Sequence, residues 1–130
     1  MRRTLFSMST RRVLVHFDGS RAGERAVAEA AATACEQGAA LIVLVLAQVE
    51  EPSPCCNLQT TFWNAEMRRL AQAAAHQARG LLPEGVDAEI VVRETSGRSA
   101  VRQVAGELGC ETLIESGWRG RPRRRTLTVA

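Results

Sequence analysis

Residues 11–46 read RRVLVHFDGSRAGERAVAEAAATACEQGAALIVLVL, and this stretch decides the fold. Val13-Leu14-Val15-His16-Phe17 is compact, apolar and β-branched, and it runs into the turn signal Asp18-Gly19-Ser20. It predicts a buried strand ending in a tight turn. Arg21 to Gln37 is rich in Ala, with Val27, Ala30, Ala31 and Ala34 at helical intervals and Gly38 as a stop. Leu41 to Leu46 is apolar without a break. A central parallel strand needs that pattern, because helices cover both of its faces.

Working outward, Glu50 to Thr61 holds Pro52, Pro54, Cys55, Cys56 and Asn57 and reads as a loop. Phe62 to Leu82 reads as a long helix with a stripe of Trp63, Met67, Leu70, Ala74, Ala78 and Leu81, suited to core or dimer packing. Pro83-Glu84-Gly85 breaks it. Ala88 to Arg93 alternates as a third strand, and Ser99 is placed to cap a short helix carrying Val101, Val104, Ala105 and Leu108. Thr112-Leu113-Ile114 forms a fourth strand, with Gly117-Trp118-Arg119-Gly120 at its carboxyl end.

Strict alternation of strands and helices predicts an α/β fold: a three-layer, Rossmann-like, doubly wound and mostly parallel sheet with right-handed crossovers. Thr126 to Val129 reads as a short fifth strand. A parallel crossover usually needs a dozen or more residues, normally a helix. Gly117, Gly120 and Pro122 discourage one between Ile114 and Thr126. The last segment is therefore expected to be disordered, to fold back antiparallel, or to pair with a partner chain.

The chain has 130 residues, enough for one domain. The expected division is a flexible tail over 1–11, the domain over 12–120 and a basic segment over 121–130. Aromatic residues are 4% with no Tyr, which argues against a base-stacking nucleic-acid platform. The net charge of +3 gathers in Arg119, Arg121, Arg123, Arg124 and Arg125. That run reads as a solvated tail, a polyphosphate grip or a nonspecific phosphate contact, and no reading helix points to specific nucleic-acid recognition. Cys35, Cys55, Cys56 and Cys110 show no zinc spacing, so no metal site is expected, and Cys55-Cys56 in a polar loop reads as redox-responsive or, with no lysine or histidine nearby in sequence, as a pair of inert thiols. No apolar leader opens the chain and no run is long enough to span a bilayer, so a cytoplasmic, membrane-free setting is expected. His16 reads as a satisfied sheet histidine and His76 as an exposed helix residue. No nucleophile–base set or carboxylate pair stands out, so no enzyme is expected.

Residues 11–46, together with SGRSAVRQVAGELGCETLIESGWRGR at 96–121, resemble the universal stress protein family. The likeness covers roughly residues 12–120 in element order, length and motif. It implies a Rossmann-like sheet of order 3-2-1-4-5, a regulatory role, a homodimer and, in one branch of the family, ATP with Mg. Carried over by position, Asp18 would meet the adenosine end, the Leu46 backbone the adenine, and Gly117 and Gly120 the phosphates. The family loop continues nine residues past the second glycine to G-S or G-T. Here that position is Ala130, so the ATP site is degenerate and Arg119 or Arg121 would have to substitute. The other expectation is a nucleotide-free interaction or scaffold module of the same fold.

Overall fold

The computed structural model describes residues 11–51, 57–96, 99–116 and 118–127. The chain runs β1 (Arg12–His16), α1 (Arg21–Gln37), β2 (Ala40–Gln48), α2 (Asn57–Leu81), β3 (Ala88–Thr95), α3 (Ala100–Glu107), β4 (Thr112–Ser116) and β5 (Pro122–Thr126). The five strands form one sheet in the order β3-β2-β1-β4-β5. β1, β2, β3 and β4 are parallel, and β5 returns antiparallel to β4. This is the α/β, Rossmann-like arrangement read from the sequence, with the fifth strand displaced.

Right-handed crossovers that move from β1 to β3 place α1 and α2 on one face, and the reversal to β4 places α3 on the other. Strand alternation feeds both layers. Val13, Val15, Phe17, Leu41, Val43 and Val45 pack on the alanine faces of α1 and α2. Leu14, Ile42, Leu44 and Leu113 pack on Val104 and Ala105 of α3. Alanine at Ala26, Ala30, Ala34, Ala71, Ala75 and Ala78 lets two helices lie close against the sheet.

Several local readings need correction. Helix α2 begins at Asn57, inside the stretch read as a loop. Its buried face is Asn64, Ala71, Ala74, Ala75 and Ala78, while Trp63, Leu70 and Leu81 of the expected stripe are exposed. The core accepts only small side chains along this helix, so the large ones turn outward. Ser99 stands at the start of α3, yet its side chain makes no cap hydrogen bond; its carbonyl accepts from the Gln103 N–H. The fifth strand is Pro122–Thr126 rather than Thr126 to Val129. Proline at the first position of an edge strand costs no ladder bond, so Pro122 opens the strand instead of breaking it. Of the alternatives for this segment, the structure shows the antiparallel return. Residues 1–10, Cys55, Cys56, Gly117 and 128–130 lie outside the described residues. Among the described residues, no helix is long and apolar enough to cross a membrane.

Candidate functional site

The chain leaves β1 through Asp18-Gly19-Ser20 and enters α1. Asp18 Oδ1 accepts from the Ser20 N–H at 3.0 Å and from the Ser20 hydroxyl at 2.5 Å. The same hydroxyl oxygen caps α1 by accepting from the Gly23 N–H at 3.0 Å. Local turn chemistry therefore fixes the carboxylate on the helix N-terminus. A Cβ on Gly23 would stand 2.9 Å from Asp18 Oδ1 and 2.9 Å from the Phe17 ring, so this close approach requires glycine. Partial burial opposes ionisation of Asp18, but the Ser20 bonds and nearby His16 outweigh it and hold the carboxyl below 3.8.

The last ladder bond from β1 to β2 runs from the Phe17 N–H to the Leu44 carbonyl at 2.9 Å. In a parallel ladder, alternate residues direct both N–H and C=O to the same neighbour. The Leu46 N–H and C=O therefore face the β1 side two residues later, where β1 has already turned away at Asp18. Its side chain is half-buried on the α3 face.

After β4 the chain makes a 3-10 turn over Trp118–Gly120. Gly120 has φ +74, and a Cβ there would meet Ala22 at 3.4 Å and Arg25 at 3.3 Å. Asp18 and Gly120 thus lie against the same first turns of α1, and Leu46 lies past the end of β1. Arg119 takes a left-handed conformation, φ 57, and both Arg119 and Arg121 are exposed. Gly117 falls outside the described residues, so its place in the site stays a reading of the sequence. Further along the basic run, Arg124 donates to the Thr33 hydroxyl at 2.9 Å, and Arg125 pairs with Glu115 at 3.3 Å.

His16 was read as a plain sheet residue. It lines a cleft of about 380 Å³ with Ser99, Val101, Arg102, Leu113 and Glu115 on the α3 face. Burial pushes its pKa below 6.5, while Asp18 and Glu115 pull the other way. The signal was strand alternation: His16 continues the Leu14 side, and Glu115 the Leu113 side. A second cleft, about 450 Å³, includes Arg12, Cys35, Asp87 and Glu89 at the amino ends of the strands. Ligands of open α/β sheets bind at the carboxyl ends, the end at which the smaller cleft opens, although Asp18, Leu46 and Gly120 are not among its lining residues. Among the described residues no group of three His, Cys, Asp or Glu is placed to hold a metal.

The residues present fit a nucleoside: the Asp18 carboxylate stands in the turn after β1, and the Leu46 backbone is turned toward the side that β1 has left. They fit a magnesium triphosphate poorly. After Gly120 the chain enters β5 at Pro122, so among the described residues no helix follows the β4 turn to add its N-terminus to that of α1 in gathering phosphate oxygens.

Order 3-2-1-4-5, with an Asp-Gly-Ser turn after β1 and a glycine turn after β4, defines an open Rossmann-like domain, a class whose ligands bind beyond the carboxyl ends of the strands. The chain belongs to the universal stress protein family, whose profile matches residues 9–129. Solved structures agree in fold. The universal stress protein UspA from Lactobacillus plantarum superposes with a TM-score of 0.69 at 15% identity, over 82% of this chain and 76% of that one. A family protein from Burkholderia pseudomallei gives 0.56 at 21% identity, over 82% of each chain. The universal stress protein from Archaeoglobus fulgidus in complex with dAMP gives 0.54 at 15% identity, over 81% and 79%. No curated protein matches the chain closely enough to name a relative.

Proposed function

We propose that this domain is a regulatory adenine-nucleotide binder, working as a cytoplasmic homodimer. The observation that carries the reading is the Leu46 backbone turned toward the gap left by β1, with Asp18 and Gly120 on the adjoining helix end. In this reading the Leu46 N–H and C=O pair with the adenine edge. The Asp18 carboxylate accepts from a sugar hydroxyl. Gly117 and Gly120 offer backbone N–H groups to the phosphate, and Arg119 and Arg121 supply positive charge. The described donors suit a mononucleotide better than ATP with Mg. A protein of the same fold solved with dAMP supports nucleotide binding as such.

Binding to the native state alone must raise its stability, by about 2.7 kcal/mol at a hundred times Kd. Thermal unfolding with millimolar AMP, dAMP, cAMP or ATP with Mg²⁺ tests the reading. A mononucleotide should raise the wild-type Tm and leave Asp18→Ala unmoved. No shift with any of the four sinks it. The second reading, a nucleotide-free interaction module, is favoured by the missing phosphate-side helix between β4 and β5 and expects that null result.

A further inference from the structure

Among the described residues, every large hydrophobic side chain that stands exposed lies on α2. Leu58 is 70% exposed, Phe62 68%, Trp63 49% and Leu70 46%. Phe62, Glu66, Arg69 and Ala73 follow one another at spacings of four, three and four, the seam of a helix that packs lengthwise on another helix. All four are exposed, and Trp63 and Leu70 flank the seam on one side. Glu66 and Arg69 pair with each other along the helix.

The geometry points to α2 as the surface on which a second copy of this chain docks, with the two α2 helices antiparallel about a twofold axis. The inference rests on the homodimer reading and names its surface. A twofold interface must be self-complementary, and this seam is. Centred between Glu66 and Arg69, it sets Phe62 over Ala73 of the partner subunit, large against small. It sets Glu66 opposite Arg69 of the partner subunit, so opposite charges meet twice. The central polar pair costs desolvation but fixes the register, as one polar seam position does in coiled coils. The four large side chains expose on the order of 450 Å² of apolar surface, scaled from about 150–250 Å² for a whole aromatic. That is more than half of the roughly 800 Å² per partner that a stable dimer buries.

Sedimentation of the full chain at about 50 μM tests the proposal. Wild type should be a dimer, and Phe62→Glu a folded monomer, since position 62 touches little of its own fold. Glu66→Arg and Arg69→Glu should each weaken the dimer at least tenfold. Mixed together, these two variants should form a heterodimer, because each then meets the charge it lacks. A purely intrahelical role for the pair cannot produce that rescue, since both variants have lost it. A dimer that survives Phe62→Glu, or fails to re-form on mixing, overturns the α2 surface and leaves the homodimer reading standing. A wild-type monomer overturns both.

Discussion

His16 shows how one residue joins the fold to its solvent conditions. It sits half-buried at the carboxyl end of β1, and burial holds its pKa below the ordinary 6.5 despite Asp18 and Glu115. The unfolded chain therefore binds more protons than the native one over a window just below 6.5. Stability is full above 6.5 and is lost as pH falls from there toward the native pKa. Asp18 also has a lowered pKa, but its contribution is lost only below about 3.8, in a separate window. His16→Gln should flatten the slope between pH 7 and pH 5, read as urea midpoints; an unchanged slope would place the titrating group elsewhere. The contrast with Asp18 explains what the sequence can reveal at this scale. Asp18-Gly19-Ser20 was legible because a turn and a helix cap are made within three residues. The neighbours of His16 come from β4 and α3, and only tertiary pairing reveals them.

At the scale of elements, β1, α1 and β2 were legible because their signals are local and redundant: an apolar run, an alanine stripe at helical period, and glycine at the stop. α2 was legible as a helix but not in its orientation. A stripe counted from large residues assumes that the core wants large residues, and here it takes Ala71, Ala75 and Ala78 instead. β5 was misplaced because Pro122 and three arginines look unlike a strand. What holds them is tertiary. Arg124 crosses to α1, where it donates to the fully buried Thr33 hydroxyl and comes within 3.7 Å of Glu29. Arg124→Ala should lower stability by about 1 kcal/mol, the usual net worth of one such bond. Arg123→Ala, with no such crossing among the described contacts, should change it by less than about 0.5 kcal/mol. Equal urea midpoints for the two variants would mean that the crossing bond contributes nothing to the strand's hold.

Across the whole molecule the cover on the sheet is uneven. Two helices of 17 and 25 residues lie on one face, and a single helix of 8 lies on the other. Burial along the strands adds a second gradient, from the centre of the sheet to its edges. Val13, Leu14, Val15, Leu41, Val43, Leu44 and Leu113 are almost wholly buried, whereas β3 is half-buried along most of its length and β5 is largely exposed. Local opening is easiest where few apolar contacts must be given up. Amide exchange should therefore follow burial rather than hydrogen bonding alone, since β5 is hydrogen-bonded to β4 along its whole length. β1 and β2 should exchange only through global unfolding, and β5 on the order of a hundredfold faster through local opening. β4 should fall between them, because opening β5 bares its edge. In the proposed nucleotide site, the carboxyl end of β1 and β2 would then supply a rigid Leu46 backbone and Asp18 turn, and the glycine turn and β5 an adjustable wall. A ligand held between the two should slow exchange in β5 far more than in β1. Uniform protection across all five strands would mean that α3 and the antiparallel return secure the second face as firmly as α1 and α2 secure the first.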